Sequence, residues 1–220
     1  MGVGGTTPTR NTTNEKEKNM RNDNDAVKST TSNTTTSNTT TATDFLADVD
    51  IQDMLNEPRN YGFYSDDTWS EVLPGLFQGG THDHDVVRSG RQYGSAEVGI
   101  AHFDFVATLY VSALPVGGWV HEMRFGISDY DMTDFNMDDL RAMVTEAHRR
   151  WTTGQRVLIR CQAGLNRSGL ITTLVLMREG FTADEAIHLI RRVRGGMGMS
   201  NPRFEEWLRS DEALEWVAAA

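Results

Sequence analysis

The sequence has no apolar run approaching the roughly 18–20 residues that a bilayer-spanning helix needs, so no membrane segment is expected. Its N-terminus lacks an apolar h-region, so no secretory signal is expected either. There is one cysteine in 220 residues, which rules out an internal disulfide. A lone cysteine in a reducing compartment is a buried filler or a reactive thiol, and a cytoplasmic location is expected. Positive charge is scarce: 21 Lys and Arg stand against 31 Asp and Glu, a net charge of −10. That balance argues against general binding to nucleic acid or anionic membranes, yet leaves room for a small positive pocket.

Residues 1–44 contain no Leu, Ile, Phe, Tyr or Trp and are dominated by Thr, Asn and Ser. Such a segment buries too little apolar surface to offset its ordering entropy, so disorder is the expectation. Gly2 and Thr6 fit a minimal myristoylation pattern that matches often by chance. Asn11, Asn33 and Asn38 sit in glycosylation triplets that carry no meaning without secretion. The composition shifts at Phe45. Residues 45–70 hold Phe45, Leu46, Val49, Ile51, Met54 and Leu55, and read as a short helix or packed arm with Asp44 as a possible N-cap. Residues 71–220 suit one domain.

Within that domain, EVLPGLFQGG reads as two strands broken at Pro74–Gly75. Residues 83–90 read as a helical turn, 91–103 as a loop, and 103–111 and 119–127 as strands. ISDYDMTDF is a carboxylate-rich loop. Helical spacing marks 136–151, a short strand covers 155–160, and an apolar helix covers 168–180. Thr182 with Glu185 forms a capping box for a further helix. Asn201–Pro202 opens a last one that turns Phe204, Trp207 and Leu208 inward. This order predicts an α/β layer fold with a central, mainly parallel sheet of four to five strands flanked by helices.

The stretch VLIRCQAGLNRSG concentrates the chemistry. A tight loop entering a helix aims its backbone N–H groups at one spot, and with the helix dipole it binds a tetrahedral oxyanion. The backbone from Gln162 through Ala163, Gly164, Leu165 and Asn166 to Arg167 supplies such a cradle. Gly164 permits the sharp turn. Arg167 offers a bidentate fork for phosphate oxygens. Cys161 sits at the rim of this positive field, which favours the thiolate, placed for in-line attack on a bound phosphoryl group. The Ser168 hydroxyl is placed to hydrogen-bond the sulfur when it leaves. A lone Cys ending a strand is more often mere filling; the combined spacing of Cys, five residues, Arg, Ser and Gly favours catalysis.

CQAGLNRSG resembles the signature loop of the protein tyrosine phosphatase superfamily, most of all its dual-specificity branch, and the similarity runs from LPGLFQGG to NPRFEEWL. The resemblance implies a cysteine-phosphatase fold and hydrolysis of phosphomonoesters through a phosphocysteine, with no cofactor and no metal. The family's usual His before the Cys is Arg160 here, which puts the thiol's surroundings in question. Family members place a general acid on a loop about thirty residues upstream. Asp129, which follows MRFGIS, is the first candidate. Asp131 is the alternative, and Asp134 reads more as a helix N-cap. Neutral Gln162, Ala163, Leu165 and Asn166, where phosphoinositide-directed relatives often carry Lys, favour a singly phosphorylated group. The expected partner is therefore a phosphorylated protein. No sequence signal speaks to the oligomeric state.

Other signals are weaker. His82, Asp83, His84 and Asp85 cluster as metal ligands might, but neighbours in one loop rarely converge on an ion. RRVRGG (191–196) reads as a solvated basic face that can add to the pocket's field, and 195–200 as a mobile loop bordering it. Trp69, Trp119 and Trp207 read as packing. Two rivals stay open: a pseudoenzyme that only binds phosphorylated partners, and a rhodanese-type sulfurtransferase, which needs neither the upstream Asp nor Ser168.

Overall fold

The computed structural model describes residues 46–65, 67–81, 103–116 and 120–219. The Thr/Asn-rich tail, Asp44, the helical turn and loop read at 83–102, the His82–Asp85 cluster and Trp119 lie outside them.

Five consecutive buried residues form strand β5, Val157–Cys161. A strand apolar along its whole length needs cover on both faces and parallel neighbours, and β5 has them. The other strands are β1 (Trp69–Leu73), β2 (Leu76–Gly80), β3 (Phe105–Thr108) and β4 (His121–Arg124), in the sheet order β1-β2-β5-β3-β4. Pro74 and Gly75 turn β1 into β2, the one antiparallel pair. β2, β5, β3 and β4 run parallel. The register pairs Cys161 with Gly80 and Arg160 with Thr108, so three strand ends meet beside the cysteine.

Side chains alternate across a strand, and β5 obeys. Val157, Ile159 and Cys161 enter the large core, while Leu158 joins Phe77, Phe103 and Val106 on the opposite face. Helix α1 is Ile51–Asn56, with Asp50 rather than Asp44 accepting from the Asp53 N–H at its start. It packs Ile51, Met54 and Leu55 against the large core, covering it as an arm does. α2 (Met137–Thr152) is capped by Asn136, whose side chain accepts from the N–H groups of Asp138 and Asp139. Asp134 is exposed and caps nothing, contrary to expectation. α3 is Asn166–Arg178 and α4 is Ala183–Arg194, opened by the expected Thr182–Glu185 capping box.

Several boundaries differ from the sequence reading, β4 (121–124 rather than 119–127) and β5 (157–161 rather than 155–160) among them. β3 stops at Thr108, because the chain then leaves the sheet toward the end of β5. α3 starts at Asn166, which places Arg167 and Ser168 in its first turn. The final helix is two, α5 (Pro202–Leu208) and α6 (Asp211–Ala218), since Ser210 accepts from the Ala213 N–H and starts a new cap.

Candidate active site

β5 ends at Cys161, and after four intervening residues α3 begins at Asn166. The thiol is 2% exposed. Its sulfur accepts from the Gly164 N–H at 3.3 Å and lies 3.3 Å from the Ser168 hydroxyl. No side chain caps α3 at Leu165. The first-turn N–H groups that a helix leaves unpaired therefore stay open beside the sulfur, at the positive end of the dipole.

The loop is held from beneath. Gln78 Nε2 donates to the carbonyls of Gly164 (3.1 Å) and Leu165 (3.2 Å), and Arg194 Nε donates to Gly164 O at 3.2 Å. C=O and N–H of a planar trans peptide point in opposite directions. Tethering these carbonyls turns the following N–H groups to the other side, where an oxyanion can collect them. Gly164 has φ of +73°, and a Cβ there would lie 2.5 Å from Gly79 C and Gly80 N. The loop thus rides directly on the glycine end of β2.

Arg194 is 3% exposed. Besides Gly164 O it donates to Asp67 O at 2.7 Å and to Ser70 Oγ at 3.2 Å. Burial pulls its pKa below the usual value, while electrostatic attraction from Cys161 and Asp67 works the other way. The 191–196 stretch is accordingly no solvated face. Arg191 donates to Gly198 O and Met199 O, and only Arg192 turns outward, to Glu57. The 195–200 loop borders the site as expected, but it is anchored: Met199 is fully buried and its N–H reaches Leu165 O.

Arg167 lies 5.5 Å over the Tyr110 ring. Its Nε is buried without a hydrogen-bond partner among the described residues. Buried donors are nearly always paired, so this one is left for a ligand.

Arg160 is fully buried on the face away from the sulfur. Its guanidinium donates to Thr108 Oγ1 (2.9 Å), Leu114 O (2.8 Å) and Glu122 Oε1 (3.0 Å). Glu122 also accepts from Thr108, Arg124 and the Val116 N–H. Burial pushes the Glu122 carboxyl up, but hydrogen bonds from Thr108 and Arg160 outweigh it and hold the pKa below normal. The charge of Arg160 is thus balanced by Glu122, and the pair ties down the 109–116 segment that carries Tyr110.

Of the three acids, Asp129 alone is joined to the Cys loop. Asn166 Nδ2 reaches its Oδ2 and Asn201 Nδ2 its Oδ1, both at 3.4 Å. Asp131 accepts from the hydroxyl (2.5 Å) and N–H (3.0 Å) of Thr133 and pairs with Arg203. The Thr133 bonds, helped by Arg203, hold its carboxyl below the usual range. Gln162 and Ala163 are exposed on the loop. Gln78 and Glu122 escaped the sequence reading, which took Arg194 only as part of a basic face and Asn201 only as a helix start. A polar residue inside the apolar strand LFQGG was a signal for Gln78; the others carried none, because their partners are distant in sequence.

Residues 116–213 match the family described as dual specificity phosphatase, catalytic domain. Among solved structures, a mutant form of Tk-PTP is 24% identical, with a TM-score of 0.55 over 70% of this chain and 98% of that one. Human DUSP28 is 21% identical, with a TM-score of 0.53 over 67% and 96%. PTPMT1 in complex with PI(5)P is 19% identical, with a TM-score of 0.53 over 70% and 98%. No curated protein sequence matches the chain. Fold and loop together define a cysteine phosphatase. Over residues 116–213 the chain is similar to the catalytic domain of dual-specificity phosphatases.

Proposed function

We propose that the protein hydrolyses phosphomonoesters of protein side chains, phosphotyrosine, phosphoserine or phosphothreonine, through a phosphocysteine. The observation that carries this reading is the Cys161 sulfur set against the Gly164 N–H and Ser168 Oγ, at an uncapped helix start whose Arg167 Nε has no hydrogen-bond partner among the described residues.

The loop N–H groups from Gln162 to Arg167 and the Arg167 fork bind the phosphoryl oxygens. The Cys161 thiolate attacks phosphorus, forming the S–P bond as the P–O bond to the side chain breaks. Asp129 gives its proton to the departing oxygen. The emptied carboxylate then takes a proton from water, whose oxygen attacks phosphorus. The S–P bond breaks, inorganic phosphate leaves, and the Ser168 hydroxyl donates to the returning thiolate. The Thr133 bonds hold the Asp131 carboxyl below the usual range, which disfavours it as proton donor.

Neutral side chains at 162, 163, 165 and 166 support a singly phosphorylated group over a polyphosphorylated headgroup. PTPMT1 was solved with PI(5)P, so that lipid is the rival substrate. The test is phosphate release from a panel of phosphotyrosine, phosphoserine and phosphothreonine peptides and from PI(5)P vesicles. Turnover of peptides above lipid, abolished by Cys161→Ser, is expected. Faster turnover of PI(5)P overturns the protein-substrate assignment. Phosphopeptide binding without turnover under reducing conditions overturns the enzyme.

A further inference from the structure

Three segments distant in sequence meet at two asparagine side chains: the Cys loop, the Asp129 loop and the start of α5. The amide orientations follow from their partners. Asn166 Oδ1 accepts from the backbone N–H groups of Ser200 (2.7 Å) and Asn201 (3.0 Å). A backbone N–H only donates, so the oxygen must face 200–201 and the NH₂ must face Asp129. Asn201 Oδ1 accepts from the N–H groups of Arg203 (3.0 Å) and Phe204 (3.4 Å), capping α5. Its NH₂ is turned to Asp129 Oδ1 (3.4 Å) and Tyr130 O (3.2 Å). Each carboxylate oxygen of Asp129 thereby receives one amide, and each amide is anchored by backbone at its other end. Arg203, on the same helix start, lies 4.4 Å over the Tyr130 ring and braces the next residue of the loop.

We infer that Asn166 and Asn201 are positioning residues that seat the Asp129 carboxyl over the Cys loop for proton delivery to the leaving oxygen. The inference rests on the acid role proposed for Asp129. One amide on each oxygen sets the rotation of the carboxyl as well as its place, and a proton donor acts only within hydrogen-bond reach of its target. Asn166, in the loop, couples that placement to the cradle itself.

The test separates proton delivery from folding. Asn201→Ser keeps an N-cap side chain and removes the donor. Asn166→Asp keeps the acceptor for Ser200 and Asn201 and likewise removes the donor; its added charge weakens phosphate binding equally for all substrates. The readout is kcat/KM across aryl phosphates whose phenols range from strongly acidic nitrophenols to phenol and tyrosine, with pKa about 10. An acidic phenol leaves without help; phenol needs the proton. Asp129→Asn is expected to lose about 100-fold or more on phenyl phosphate and little on the most acidic phenol. Asn201→Ser and Asn166→Asp should show the same slope at about 10-fold. Asn201→Ser combined with Asp129→Asn should be no worse than Asp129→Asn alone. A steep Asp129→Asn profile with a flat one for both asparagine variants, or additive losses in the double variant, overturns the clasp alone. A flat Asp129→Asn profile removes the acid and the clasp together, while Cys161→Ser independently reports on the phosphatase reading.

Discussion

Replacing Arg194 by Met keeps a long apolar stem while deleting the charge and every donor. Arg194 is 3% exposed and donates to Gly164 O, Asp67 O and Ser70 Oγ. Leaving buried acceptors unpaired costs about 1–3 kcal/mol each, which would sum to several kcal/mol. Against this, Met avoids the desolvation of a buried guanidinium, also several kcal/mol. A net destabilisation of about 3 kcal/mol is expected, lowering Tm by about 6–12 °C at about 2–4 °C per kcal/mol for a domain of this size. The effect on turnover should exceed what unfolding explains. Gly164 O keeps only Gln78 as tether, and the loop N–H groups lose their fixed direction. Well below the new Tm, kcat/KM on a small aryl phosphate should fall about 10–100-fold. Vanadate affinity should fall with it, since both anions use the same N–H groups. Thermal unfolding followed by circular dichroism, with steady-state turnover and vanadate inhibition at one low temperature, checks all three. A variant with lowered Tm but full turnover and vanadate affinity would refute the argument that Arg194 orients the loop.

Gly164→Ala forces a Cβ to within 2.5 Å of Gly79 C and Gly80 N, both backbone atoms that cannot swing aside, at φ of +73°; turnover should fall about 100-fold or more, at a backbone cost of about 1–2 kcal/mol for the left-handed conformation. Retention of vanadate affinity in that variant would show the loop to be more yielding than its packing implies. Arg149 holds the Glu146 carboxyl at about 2, against an ordinary 4.5, with Arg150 adding to it and burial opposing. A depressed carboxyl stabilises the fold above its unfolded value and loses that contribution as pH falls toward the folded one. The Tm gap between parent and Glu146→Gln should therefore be full above pH 4.5 and close between there and about 2. Arg160→Met leaves Glu122 with Arg124 as its remaining cation and removes the donor to Leu114 O, so it should loosen the 109–116 segment and raise KM for aryl substrates through Tyr110, while alkylation of Cys161 by iodoacetamide keeps its pH profile; a changed profile would mean that Arg160 acts on the thiol after all. Peroxide should inactivate rapidly by over-oxidation, since Cys161 is the chain's single cysteine and has no resolving partner; mass spectrometry finding Cys161 unmodified after the loss would contradict this.

The pocket was legible because its parts are adjacent in the chain. Strand, Cys, turn-forming Gly, Arg and Ser lie within twelve residues, 157–168, and short-range geometry dictates how such a run folds. The capping box of α4 was legible for the same reason. The split between α5 and α6 was missed because a continuous helical period concealed Ser210 as a cap. The choice among the acids was open in the sequence, since Asp129, Asp131 and Asp134 share one loop and one residue type. The structure separates them by contact: Asp129 meets Asn201, 72 residues away, while a local turn engages Asp131 with Thr133.

By itself, the sequence determined a thiol, an anion cradle and an α/β order, because these follow from neighbours along the chain and from periodicity. Only the tertiary structure decided where buried charge goes. Arg160 stands next to the nucleophile in sequence, yet pleating sends it to the other face and into Glu122. Arg194 stands 33 residues beyond the cysteine, yet packing brings its guanidinium beneath the loop, where it holds Gly164 O. A charged side chain taken out of water must find partners wherever the fold supplies them. Those partners are set by how strands and helices stack, which no local stretch of sequence encodes.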